Sequence, residues 1–327
     1  MVGVAMGNKY VVGIDVGGTS IKLAFLTLEG EPVSKWEIPT NKADNGKYII
    51  NEIAESVREK QVELHIESDQ LVAAGVGAPG PIDTEKGLLF EAVNIGWPDR
   101  FPIGDLVKEQ LQLPVAVDND ANVAALGEMW KGAGKGAKDL ICITIGTGVG
   151  GGTIVDGDIV HGDRGAAGEI GHFNVEINGR SCNCGNHGCL ETVASATGIV
   201  RTAKEKLETF TGQSVLKDLH EQSKEITAKD IFDAAREQDA FAQEVVDHLA
   251  HYLGRSLAQI STVTNPEKFV IGGGVSRAGN LLLDPISQYF KQYAFKTMEL
   301  HTDIVLAELG NDAGIVGAAW LALNKAK

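Results

Sequence analysis

Nowhere in these 327 residues is there an apolar run approaching the ~18 residues that a membrane-crossing helix needs, so no helical span is expected. The N-terminus, MVGVAMGNKY, has neither a charged stretch followed by a long apolar core nor a small-residue cleavage site, so no secretory leader is expected. Lysine and arginine form no cluster. There are 29 of them against 44 acidic residues, giving a net charge of −15 and a pI near 5.0. Nucleic-acid binders carry a basic patch or a high domain pI, so no nucleic-acid partner is expected. The acidity reads as solubility, and an anionic substrate has to be met by local donors. No low-complexity segment or obvious linker interrupts the chain. The G-x-x-x-x-G-K-[ST] phosphate loop is absent. The dinucleotide fingerprint fits poorly, because its G-x-G-x-x-G opens a helix and the early glycine turns here lead into strands. DGDIVHGD (156–163) has spaced acids without the downstream pattern of an EF-hand, which sets calcium aside. Cysteine is scarce, four in all, and three of the four fall within CNCGNHGC (182–189). Disulfides pair thiols two at a time. In a reducing cytoplasm, where this chain is expected, clustered cysteines more often hold metal.

What is present is the composition of a soluble globular protein, 43% apolar and 22% charged. At roughly 150 residues per domain the length suggests two domains, each able to bury a core. Residues 10–16 (YVVGIDV) and 20–28 (SIKLAFLTL) read as strands separated only by GGT. Ile49, Ile50, Ile53, Ala54 and Val57 recur at helical spacing within 46–61. Strands are expected at 71–77 and 114–118, and helices at 103–112 and 121–131. The pattern then restarts with strand LICITIG (140–146), glycine turn TGVGGG, strand TIV and turn DGD. The same order opens the chain, which reads as a weak internal repeat. Helical patterns follow at 190–208, 227–237 and 239–262, where His248 and His251 read as a solvated face. A strand at 268–273, a helix near 277–291, a strand at 303–309 and a closing helix complete the chain. The surplus of strands at the start of each half predicts mixed sheets, antiparallel at one edge, with helices on their faces and a cleft between the halves.

Three glycine-rich turns stand out. DVGGTSIK (15–22) joins two strands; its glycines allow a tight turn and bring backbone N–H groups close to a ligand, though a plain hairpin has the same signature. IGTGVGGG (145–152) has five glycines in eight residues, more than a turn needs. IGGGVS (271–276) closes a strand before a helix, which suits an adenosine or phosphate site at a helix N-terminus. Paired phosphate-binding hairpins in two related halves resemble the actin-like (ribonuclease H-like) sugar kinase ATPases. GIDVGGTSIK, GAPGP, DNDANVAALGE, GTGVGGG, GEIGH, CNCGNHGCLE and IGGGVS, in that order, resemble the ROK family (repressors, open reading frames and kinases) over essentially the whole chain. Thr153 is a small departure, at a position more often apolar in the family. Among subgroups the sequence is most similar to the bacterial ATP-dependent glucokinases.

The resemblance implies an α/β fold of two α/β domains with a cleft between them, here 1–118 with 312–327, and 119–311 carrying a zinc knuckle. It implies transfer of the ATP γ-phosphoryl group to the 6-hydroxyl of glucose. Asp15, ending the first strand, is the candidate to hold the water shell of Mg²⁺ bound with ATP. Gly17, Gly18 and Thr19 in the first turn, and Gly146, Thr147 and Gly148 in the second, are expected at the phosphates. Lys22 either assists or lies on the surface. Gly272, Gly273 and Gly274 belong to the nucleotide side. The sugar is expected to meet Asn94, Asn119, Asp120, Glu169, His172 and Glu191. Carboxylates suit that task because each oxygen accepts from a polyol. A homodimer or homotetramer is expected on the resemblance alone. Kinases for N-acetylmannosamine, fructose or another hexose, or polyphosphate as donor, are alternatives. A sugar-responsive repressor is a different class; its helix-turn-helix would precede the first hairpin, where about a dozen residues are too few.

VDNDAN (117–122) ends a strand and begins a helix, so Asp118, Asn119 and Asp120 are all candidate helix caps. Capping and catalysis are compatible, because strand ends face the crevice where α/β folds bind ligands. The resemblance assigns Asp120 as general base, accepting the proton of the attacking hydroxyl. Cys182, Cys184 and Cys189 supply three soft ligands, and zinc takes four. His187 is one residue from Cys189, which strains joint chelation, whereas Asn178-Gly179 can turn the chain back to His172. His172 is therefore favoured, and the family's zinc motif points the same way. Four protein ligands leave no open position, so one structural zinc per chain is expected. Cys142, in an apolar strand, reads as core.

Overall fold

The computed structural model describes residues 8–90, 95–163 and 165–326. Two five-stranded sheets share one plan. The first has strands β1 (Tyr10–Val16), β2 (Ser20–Thr27), β3 (Pro32–Pro39), β4 (Leu71–Ala78) and, beyond the short hairpin β5 (Ile82–Asp83)–β6 (Leu88–Leu89), β7 (Val115–Asn119). The second has β8 (Leu140–Ile145), β9 (Val149–Val155), β10 (Asp158–Ile159), β11 (Lys268–Gly272) and β12 (Asp303–Leu306). Their orders are β3-β2-β1-β4-β7 and β10-β9-β8-β11-β12. In each, an antiparallel three-strand meander is followed by two parallel strands. The repeat read from the glycine turns is therefore a repeat of topology.

The sheets are covered on both faces, which explains why their central strands are almost continuously apolar. On one face of the first sheet Val12, Ile14, Leu23 and Phe25 pack with the helix Ile49–Leu64, whose buried residues are Ile49, Ile50, Ile53, Ala54 and Val57. On the other face Val11, Ala24 and Leu26 meet Ile315, Val316 and Ala319 of the closing helix Ala313–Lys325. In the second sheet Ile141, Ile143, Phe269 and Ile271 face the helices Ala196–Leu207, Ala240–Thr264 and Asn280–Tyr293. Its opposite face, with Leu140, Cys142, Ile154 and Val270, takes Val123, Ala125 and Leu126 of the helix Asp120–Lys131.

The helices Asp120–Lys131 and Ala313–Lys325 thus lie between the sheets, and they cross almost backbone to backbone. A Cβ on Gly317 would sit 1.6 Å from the Val123 carbonyl oxygen, and one on Gly127 2.2 Å from that of Ala313. Gly317→Ala should force this crossing apart and lower the urea midpoint, by at least the ~1–3 kcal/mol typical of overpacking. An unchanged midpoint would refute the close crossing.

Several elements differ from the sequence reading. Residues 150–152 are strand, not turn: Cβ atoms on Gly151 and Gly152 would come within 2.6 Å of the Gly168 carbonyl oxygen and the Ala125 Cβ, so these glycines serve close packing. IGGGVS does not open an α-helix. Gly274–Ala278 is a 3₁₀ turn, and the helix starts at Asn280. His248 and His251 are half-buried, with both rings against Tyr252 and that of His251 also against Tyr289 and Tyr293.

Candidate active site

A cleft of about 640 Å³ is lined by Asp15 and Lys22 from the first hairpin, Gly146 and Gly148 from the second, and Gly272 and Gly273. Asn119, Asp120, Glu169, His172 and Glu191 line it too. The structure thus gathers eleven of the seventeen expected nucleotide and sugar residues around one space. Gly17, Gly18, Thr19, Thr147 and Gly274 are in the same three turns but do not line that cavity. Asn94 lies outside the described residues.

Each turn is held by identifiable contacts. Gly17 N–H donates to the Ser20 carbonyl at 3.0 Å, and Thr40 Oγ1 donates to the Gly17 carbonyl at 2.7 Å. In the second turn Gly146 N–H reaches the Gly148 carbonyl at 2.9 Å, while Thr197 Oγ1 donates to the Thr147 carbonyl at 2.8 Å. Glu191 Oε2 accepts from Val149 N–H at 3.0 Å, so a residue expected only on the sugar side also braces the second glycine turn. Gly273 has φ +83°, and a Cβ there would meet the Ile145 carbonyl oxygen at 2.5 Å; only glycine fits. Lys22 Nζ lies 3.4 Å from the Asn311 carbonyl oxygen.

Asp120 is the first residue of its helix, but Asn119 is the cap: its Oδ1 accepts from Ala121 N–H at 2.9 Å and Asn122 N–H at 3.4 Å. Asn119 Nδ2 also donates to the Gly80 carbonyl in the GAPGP turn at 3.1 Å. Asp120 therefore keeps its carboxylate for the cleft, with one oxygen on Ala121 N–H at 2.8 Å. Desolvation pushes its pKa up to about 6; the Ala121 N–H opposes this, and the charges of Asp15 and Glu169 add to it. Burial likewise raises Asp15, against the pull of Lys22.

Asp118 is neither cap nor lining. It is buried, and its Oδ1 accepts from Asn119 N–H at 2.7 Å and Asn122 Nδ2 at 2.8 Å. Its Oδ2 is 2.7 Å from His161 Nε2. Glu128 is a second buried acid that the sequence did not flag. It accepts from the N–H groups of Ala133 (2.9 Å), Glu308 (3.1 Å) and Leu309 (2.9 Å), tying the helix Asp120–Lys131 to the segment that follows β12.

His172, Cys182, Cys184 and Cys189 bring one donor atom each within 4.8 Å of one another, a group able to hold a metal ion. His187 is not in it. His172 Nδ1 faces Cys182 Sγ at 3.6 Å, leaving Nε2 toward Glu169, 3.9 Å from its Oε2. Arg180 anchors the knuckle by donating to the Thr192 carbonyl at 2.7 Å.

The ROK family matches residues 11–325. The chain is 52% identical to a glucokinase of Halalkalibacterium halodurans across 97% of this chain and 96% of that protein. The chain belongs to the ROK family. A glucokinase of Thermotoga maritima is 36% identical over 96% of this chain and 97% of its own length. The solved ROK glucokinase of Streptomyces griseus, in complex with glucose and AMPPNP, is 36% identical with a TM-score of 0.78, covering 96% of this chain and 99% of that one. The fold is that of the actin-like sugar kinases, as the ROK motifs implied. Among the described residues no helix is long and apolar enough to cross a membrane.

Proposed function

We propose that this chain transfers the γ-phosphoryl group of ATP to the 6-hydroxyl of glucose. The observation that carries the reading is Asp120: a carboxylate near pKa 6, in the cleft that the glycine turns share with Glu169 and Glu191. A group poised there accepts a hydroxyl proton at neutral pH. Glu169, Glu191, His172 and Asn119 orient the sugar, Asn94 adds a contact, and Thr19 and Thr147 donate to the phosphates between them. Asp15 suits the water shell of Mg²⁺, which when bound neutralises charge on the phosphates. Similarity to relatives that carry the name glucokinase supports glucose over other hexoses.

Zinc fits the knuckle. A tetrahedral site with Zn–S bonds of about 2.3 Å spaces two thiolates roughly 3.7 Å apart, and Cys184 Sγ and Cys189 Sγ are 3.7 Å apart. Burial pushes the Cys182 thiol up and that of Cys189 up to about 12, while the Asn186 backbone N–H lowers Cys184, so holding all three as thiolates calls for a cation to offset them.

The test is ADP release across a hexose panel. Glucose should be preferred, and kcat/KM should fall about tenfold per pH unit below about pH 6, where Asp120 is protonated and too weak a base to take the hydroxyl proton. A profile flat through that range, or no hexose-dependent ADP, would end the reading.

A further inference from the structure

The segment between β10 and Glu169 has no role in the reading above, yet it makes a specific contact with the first sheet. His161 reaches from this segment of the second sheet to Asp118, at the end of β7 in the first, across 43 residues of sequence. Asp118 is 1% exposed. Its Oδ1 is occupied by two neutral donors, and Oδ2 meets His161 Nε2. A carboxylate that deep in the protein needs a charged or strongly donating partner. The loop starting at His161 doubles back, with Ala167 N–H on the His161 carbonyl at 3.0 Å, and a Cβ on Gly165 would lie 2.8 Å from the Ile82 carbonyl oxygen. The loop is thus seated on the first half of the chain at Gly165, three residues before Gly168 and four before Glu169. The contact links two sets of residues that the kinase reading assigns to the sugar: Asn119 and Asp120 follow Asp118 directly, and Glu169 and His172 follow the loop.

We propose that His161 is a positioning residue for the sugar, holding through Asp118 the separation between Asn119–Asp120 and Glu169–His172. The proposal rests on the sugar kinase reading. The charged groups that face His161 are Asp118, Asp158 and Lys325, the last two paired at 2.7 Å. The Asp118 hydrogen bond raises the imidazole pKa above its ordinary 6.5, desolvation and Lys325 oppose it, and Asp158 assists. The imidazolium therefore persists toward neutral pH. Its grip on Asp118 weakens as pH rises through the shifted value.

Glucose KM, ATP KM, kcat and glucose Kd should be measured for wild type, His161→Ala and His161→Gln across the imidazole titration range. His161→Ala should raise glucose KM and Kd about tenfold, within the 10²-fold that a misplacement near 1 Å can cost, with ATP KM changed less than about twofold. Wild-type glucose KM should climb as pH rises. His161→Gln, which still donates through its amide, should recover most of the affinity and lack that climb. Wild-type glucose KM in His161→Ala, or equal losses for glucose and ATP, would overturn the proposal. Should His161→Ala fail to fold, a wild-type pH climb in His161→Gln would overturn it instead. Absence of ADP release from wild type would remove the kinase reading, and the glucose Kd values of the three proteins would still decide the positioning.

Discussion

Asp120→Asn should bind glucose and fail to turn it over. The amide keeps the side chain's shape and an oxygen for Ala121 N–H, so the helix start survives. Asn119 remains the cap. What is lost is the group that takes the proton, and general-base contributions run to about 10²–10⁴-fold. kcat should fall by that order while glucose Kd changes far less. Asp118→Asn, an equal claimant from sequence, is no neutral control, because Asp118 is buried against His161. A better one is Thr227→Ala, which removes the cap of the remote helix Ala228–Arg236. It should cost about 0.5–2 kcal/mol of stability and leave turnover intact. Equilibrium glucose binding, urea melts and single-turnover ADP formation on both proteins would decide the matter. An Asp120→Asn enzyme within about threefold of wild type, well inside the general-base range, would refute the base assignment.

Removing the metal should cost the enzyme its sugar and leave the fold standing. Cys184 is the exposed member of the group proposed to hold zinc, and Cys184→Ser should reduce zinc per chain measured by mass spectrometry. The knuckle orients Glu191, two residues beyond Cys189, and His172, whose Nε2 is turned toward Glu169. Loss of such outer support typically costs about 10–100-fold, so glucose KM should rise by that factor. The cores on the two sheets are built from other residues and should keep the chain folded. Full zinc occupancy with all three cysteines replaced would sink the ligand assignment. Zinc loss with unchanged glucose affinity would leave the knuckle structural but irrelevant to the sugar.

The parts legible in the sequence were those written in local spacing. The helix Ile49–Leu64 buries the five residues picked out by periodicity, and the Cys-x-Cys-x₄-Cys run returns to His172 as loop geometry favoured. The paired glycine hairpins announced two sheets of one design. What was illegible depends on distance or on an exposed edge. β3, PVSKWEIP, is an edge strand with no buried residue and gave no apolar signal. Glycines 150–152 look like a turn until the helix Asp120–Lys131 is laid against Gly150 and Gly152, and Gly168 and Ile170 against Gly151. The partners of Asp118 and Glu128 lie up to 43 and 181 residues away, and no local pattern encodes such contacts.

Glu191 holds the second glycine turn by one oxygen while lining the space assigned to the sugar. A carboxylate shared in this way makes the two substrates thermodynamic neighbours. Whatever factor a bound hexose applies to nucleotide affinity through Glu191, linkage requires the nucleotide to return on the hexose. On the sugar kinase reading proposed above, the Glu191–Val149 contact is a place where a sugar lacking the right hydroxyl should register as weaker nucleotide binding, so that discrimination among sugars need not reside in the sugar pocket alone.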